Sequence, residues 1–128
     1  MVSSKLAAGA AFAGLILFAA PAFADPSDCV VNVHMKRGTD SIEYTGRLTH
    51  ERASCDYHFK ARAGQTLTWT LQGPATRQTI GYPDGNGDGP GIPQSIPLQQ
   101  TGEYVFGVSA DLMAEGAFGR YRLRLTIR

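Results

Sequence analysis

The chain has 128 residues, 43% of them hydrophobic and 18% charged, a globular balance that excludes a disordered or collagen-like protein. Twelve basic residues stand against eleven acidic ones, and loss of Lys5 with the leader described next leaves eleven of each. No global basic field is present to hold nucleic acid or an anionic membrane, and a chain this short has no room for a two-domain enzyme cleft.

Residues 1–24 read as a secretory leader. Lys5 and the amino terminus form its positive end, Leu6 to Ala20 its apolar stretch, and Pro21 precedes a small-x-small cleavage signature, Ala22-Phe23-Ala24. About fifteen apolar residues fall short of the ~20 that span a bilayer. Asp25 stands where a lipoprotein would carry cysteine. The expectation is cleavage near Ala24 and a single domain over 25–128, periplasmic or secreted and not membrane-embedded. Cys29 and Cys55 then enter an oxidising compartment, where they read as one disulfide. Two separate buried thiols are the alternative.

Along the remaining chain the hydrophobic period is two. Val31, Val33 and Met35 alternate with Asn32 and His34, and Cys29 shares their side. Ile42, Tyr44 and Leu48 form the next apolar set, followed by Tyr57 and Phe59, on the side of Cys55. Leu67, Trp69 and Leu71 come next, with the parity that assigns Trp69 to the core rather than to a sugar-stacking surface. Two poorer runs, around Ile80-Tyr82 and Ile96-Leu98, are confined by Pro83 and Pro97 to edges or strand ends. Tyr104, Phe106 and Val108 follow, and Tyr121, Leu123, Leu125 and Ile127 close the chain. One apolar and one wet side per run, turn residues between runs and no helical stretch predict an all-β protein. Its fold class is an antiparallel β-sandwich of seven to eight short strands with one disulfide. A closed barrel is the alternative.

The glycine-rich stretch holds Asp84, Asn86 and Asp88 at alternate positions before Gly89, the front half of a calcium loop. Ser95 at the twelfth position cannot supply a bidentate carboxylate, so these three are weak calcium candidates and a glycine-rich connection is the better reading. On the last strand Arg120, Arg122, Arg124 and Arg128 share one side, suited either to gripping carboxylates or a glycan or to blunting a solvated edge. His34, His58 and Asp56 make a conceivable metal group that lacks further ligands, and surface imidazoles are the better reading. No nucleophile elbow or carboxylate pair is indicated, so neither an enzyme nor a cofactor is expected. Leu112 and Met113, between the last two long strands, either tuck over the end of the sandwich or offer an apolar contact to a protein partner.

Several segments occur together in one order: Val31-Asn32-Val33-His34-Met35-Lys36-Arg37-Gly38, Tyr44-Thr45-Gly46-Arg47-Leu48, Tyr57-His58-Phe59-Lys60-Ala61, Ala63-Gly64-Gln65 and Thr101-Gly102-Glu103-Tyr104. With the closing strand they resemble the periplasmic inhibitors of goose-type lysozyme, and are also similar to pre-peptidase C-terminal domains. The resemblance implies a non-catalytic exported protein that inserts loops into a lysozyme's substrate groove. It carries over Thr101 and the loop with Leu112 and Met113 as partner-binding positions. Where such inhibitors show an arginine-rich loop this chain has Leu112-Met113-Ala114-Glu115-Gly116, and a family tyrosine falls at Arg52. Arg52 and Arg120 are the candidates to replace the lost charge. The partner so implied is a lysozyme of a host or a bacterium. The alternative is a carbohydrate- or cell-wall-binding module of pre-peptidase C-terminal type. An inhibitor acting by insertion is expected to project 111–119 and 84–93 as one ridge from one end.

Overall fold

The computed structural model describes residues 29–128; the leader, its cleavage site and Asp25 lie outside that range. Nine strands form two sheets, with no helix among the described residues. They are β1 (Val30–Asn32), β2 (Ser41–Leu48), β3 (Ser54–Ala61), β4 (Thr66–Gln72), β5 (Thr76–Gly81), β6 (Gly87–Asp88), β7 (Ser95–Pro97), β8 (Gly102–Ala110) and β9 (Gly119–Ile127). One sheet has the order β1-β3-β8-β5-β6 and the other β2-β9-β4-β7. All pairings are antiparallel except that of β1, which lies parallel to β3.

The alternation in sequence becomes the alternation in burial. Cys55, Tyr57, Phe59 and Ala61 of β3 share one core with Tyr121, Leu123, Leu125 and Ile127 of β9, joined by Tyr104 and Phe106 of β8 and Trp69 of β4. Trp69 is core as its parity requires: it packs on Phe106 with ring centroids 5.4 Å apart and donates its indole N–H to the Pro93 carbonyl at 2.9 Å. Tyr104 is fully buried, yet its hydroxyl donates to the Gln100 carbonyl at 2.6 Å, fastening the turn that leads into β8. This is the arrangement that lets a buried tyrosine hold a sandwich corner.

Cys29 and Cys55 are disulfide-bonded, with Cα atoms 4.6 Å apart. Their bond ties the three-residue β1 to β3 one residue before the Val30–Asp56 register. The strands limited by proline behave as expected: β7, with Pro97, is an edge, and β5 is covered only by two-residue β6.

Strand directions sort the loops. Residues 49–53, 73–75 and 111–118 cluster at one end, called here the upper end; residues 33–40, 62–65, 82–86 and 98–101 cluster at the lower end.

Candidate functional site

The upper end is built around 111–118. Its two flanks are fixed by burial, through Ala110 and Ala117. Asp111 is held three ways: its N–H donates to the Ala75 carbonyl, its carboxylate accepts from the Met113 N–H at 3.1 Å, and the same oxygen lies 3.4 Å from Arg77 Nε. An aspartate bonding two residues ahead makes a tight turn. The Ala114 N–H donates back to the Asp111 carbonyl, and the Ala75 N–H donates to the Gly116 carbonyl, stitching 73–75 to the same loop. Gly116 takes a left-handed φ of +72°, the region that a β-carbon penalises.

This pinned turn leaves Leu112 70% and Met113 88% exposed. Both side chains are thus held outward on the turn rather than capping the core. The alternative arrangement, with both tucked over the end, does not occur; Phe118 does that work instead, its ring 4.0 Å from the His50 imidazole. That contact brings 49–53 alongside the loop, as does the Ala110 N–H bond to the Ala53 carbonyl. Arg52 therefore lies at the same end, its backbone closed in a turn with Thr49. Arg120 stands exposed at the start of β9.

Thr101 is elsewhere. It belongs to the lower end, where its hydroxyl accepts from the Ala63 N–H at 2.9 Å and ties two turns together. Of the five candidate contact residues, Leu112, Met113, Arg52 and Arg120 are thus brought to one end, and Thr101 is not. The single ridge expected of 84–93 and 111–119 does not form either. The glycine-rich stretch turns at the lower end and then runs up the side of the sandwich to Gln94, whose carbonyl accepts from the Trp69 N–H. The reason is topological: both segments cross from one sheet to the other, but 111–118 does so between the upper ends of β8 and β9, whereas 84–93 leaves the lower end of β5 and passes through β6 before reaching β7.

The calcium candidates are engaged with protein groups. Asp84 accepts from the Asn86 N–H at 3.0 Å and from the Gln100 amide at 3.2 Å, and the Asn86 bond holds its carboxyl below the usual range. Asp88 accepts from the Tyr82 hydroxyl at 2.6 Å, which pushes that phenol up to about 12. Gly87-Asp88 forms β6 against β5, so the stretch is part hairpin rather than a free connection. His34 and His58 do share a cleft of about 550 Å³, with Lys60 and Glu103 on its wall, but His58 Nδ1 lies 2.9 Å from Glu103. Among the described residues no group of three acidic, histidine or cysteine side chains is placed to hold a metal.

With this geometry in hand, comparison with known proteins is informative for the fold. The sequence matches no protein-family model and no curated protein. Among solved structures, PliG of Salmonella Typhimurium, a periplasmic lysozyme inhibitor of g-type lysozyme, aligns over 78% of this chain and 98% of its own at 21% identity, with TM-score 0.60. PliG of Aeromonas hydrophila aligns over 78% of this chain and 96% of its own at 20% identity, with TM-score 0.62. The chain has the PliG fold. A pre-peptidase C-terminal domain of Bacillus anthracis collagenase shares it more loosely, at 12% identity over 79% of this chain and 96% of that one, with TM-score 0.54. Both resemblances read from the sequence are borne out at the level of fold.

The sequence reasoning did not single out the residues that hold the site in shape: Arg77, Asp111 and Phe118. The Asp-x-Met spacing at 111–113 was the available signal, since an aspartate at the head of a connection favours such a turn.

Proposed function

We propose that this chain is an exported, non-catalytic inhibitor that docks its upper end against a lysozyme, with Leu112 and Met113 as the apolar anchors. The observation that carries this reading is the outward display of both side chains on a hydrogen-bonded loop, within a fold shared with two g-type lysozyme inhibitors. Arg52 and Arg120 lie at the same end and supply cationic contacts to a groove that carries a catalytic carboxylate. Apolar anchors rimmed by charged groups are the usual anatomy of a protein-binding hot spot. The periplasm is the proposed compartment, with the leader removed near Ala24 and residues 25–128 acting as one domain. A disulfide-bonded sandwich with an apolar loop tip suits that setting.

The experiment is protection of bacterial walls from lysis. Purified residues 25–128 are expected to inhibit a goose-type lysozyme, with chicken-type and invertebrate-type enzymes run in parallel to set the class. No protection at micromolar excess against any of the three refutes the proposal.

A further inference from the structure

The outer face of the β2-β9-β4-β7 sheet carries a second, separate feature. Alternation along β9 places Arg120, Arg122 and Arg124 outward, at about 7 Å intervals. The register of β2 adds Arg47, directly opposite Arg120. Arg128, which shares their parity in sequence, is drawn away to Asp40, with Nε 3.0 Å from the carboxylate. The resulting ladder has four guanidinium groups and one facing carboxylate, Glu43, which lies 3.5 Å from Arg122 Nε. Like charges directly opposite on antiparallel strands disfavour the sheet. Arg47 and Arg120 thus place two positive charges opposite each other, an arrangement that a bound anion would relieve.

The face also has a shape. Beside Arg120 and Arg122 lies a shallow depression of about 250 Å³, lined also by Thr45, Gln72, Gly73 and Tyr121. A β-carbon at Gly73 would come within 2.8–2.9 Å of Tyr121 and the Arg120 carbonyl, so a larger residue does not fit beside β9 here. Further along β4, Thr70 and Thr68 are exposed beside Arg124 and Thr126, and no outward position of β2, β4 or β9 holds an aromatic ring.

We propose that this face binds an anionic polysaccharide, with carboxylates of the polymer gripped by Arg120, Arg122 and Arg124 and its hydroxyls met by the threonines. Arginine pairs with carboxylates in a two-pronged geometry, which favours a uronate-type chain. Single-stranded nucleic acid is disfavoured because its bases need aromatic platforms to stack on. The face meets the upper end at Arg120, but Arg122, Arg124 and the threonines lie along the sheet away from the Leu112–Met113 tip, and binding there does not depend on lysozyme inhibition.

The test is retention of residues 25–128 on immobilised polygalacturonate, against neutral dextran and single-stranded DNA, over a salt series. Expected are binding to polygalacturonate at low salt, release toward about 0.5 M salt as screening sets in, and at least about tenfold weaker binding by R122Q/R124Q. L112A/M113A should bind the polymer like wild type, and thermal unfolding should show both variants folded. Retention no better than on dextran, wild-type binding by R122Q/R124Q, or tighter binding to DNA than to polygalacturonate would each overturn the proposal.

Discussion

The hydroxyls of Tyr57 and Tyr121 lie 2.6 Å apart inside the core, one from each sheet, and the ring of Tyr121 occupies the space left by the missing side chain of Gly46. The pair solves a problem that each tyrosine would have alone, a polar group buried without water. Gly46 sits opposite Tyr121 in the β2–β9 register, and a β-carbon there would come within 2.5 Å of the ring.

Gly46→Ala should therefore lower stability by about 1–3 kcal/mol through overpacking. Tyr121→Phe should cost about 1–3 kcal/mol by stranding the Tyr57 hydroxyl. The double variant Y57F/Y121F should lose less than the two single losses combined, because it leaves no orphaned hydroxyl. Urea unfolding of the four proteins measures this, and strict additivity would contradict the pairing.

The same tyrosines make stability sensitive to alkali. Burial raises the phenol of Tyr57 well above its usual value of 10, and burial likewise raises Tyr121, while the bond to Asp88 pushes Tyr82 up to about 12. A group whose folded value is raised gives up its proton first in the unfolded chain. Its stabilisation is thus complete below pH 10 and is lost as pH climbs toward the folded value. Tm should fall from about pH 9 to about pH 11, and Tyr57→Phe should flatten that fall. A Tm rising over this range would refute the assignment.

Removing the disulfide addresses the edge of the sandwich. Cys29 and Cys55 are 26 positions apart, and replacing both with serine should cost about 3.5 kcal/mol in the chain-entropy description. The loss should appear as a shift in the denaturant midpoint, with backbone exchange quickening first in β1, which is three residues long and has one partner strand. Unchanged exchange at Val31 and Asn32 would show that the parallel pairing holds without the bond.

The two ends of the sandwich should separate by mutation. L112A/M113A is expected to weaken lysozyme inhibition at least about tenfold with Tm unchanged, since both side chains are exposed. Thr101→Ala should leave inhibition intact and reduce stability by about 1 kcal/mol through loss of the Ala63 bond. The reverse pattern in the lysis assay would move the contact surface to the lower end.

Much of this architecture could be read from alternation alone. Every second position in the runs ending at Phe59, Leu71, Val108 and Ile127 is shielded from solvent, because a strand with one wet face leaves its side chains no other option. The two cysteines shared the parity of their strands and met. Loop placement was less legible. Thr101 and Leu112 stand eleven positions apart in sequence, but β8 lies between them and carries them to opposite ends. The arginine ladder was half visible: parity gave Arg120, Arg122 and Arg124, while Arg47 joined through a register and Arg128 left through an ion pair with Asp40.

The sequence by itself determined the strand class and the buried face of each strand, since these depend on local periodicity and composition. Tertiary structure alone decided the parallel seat of β1, the segregation of loops between two ends and the outward display of Leu112 and Met113. Those depend on which distant strands share hydrogen bonds, a choice made by packing one whole sheet against the other.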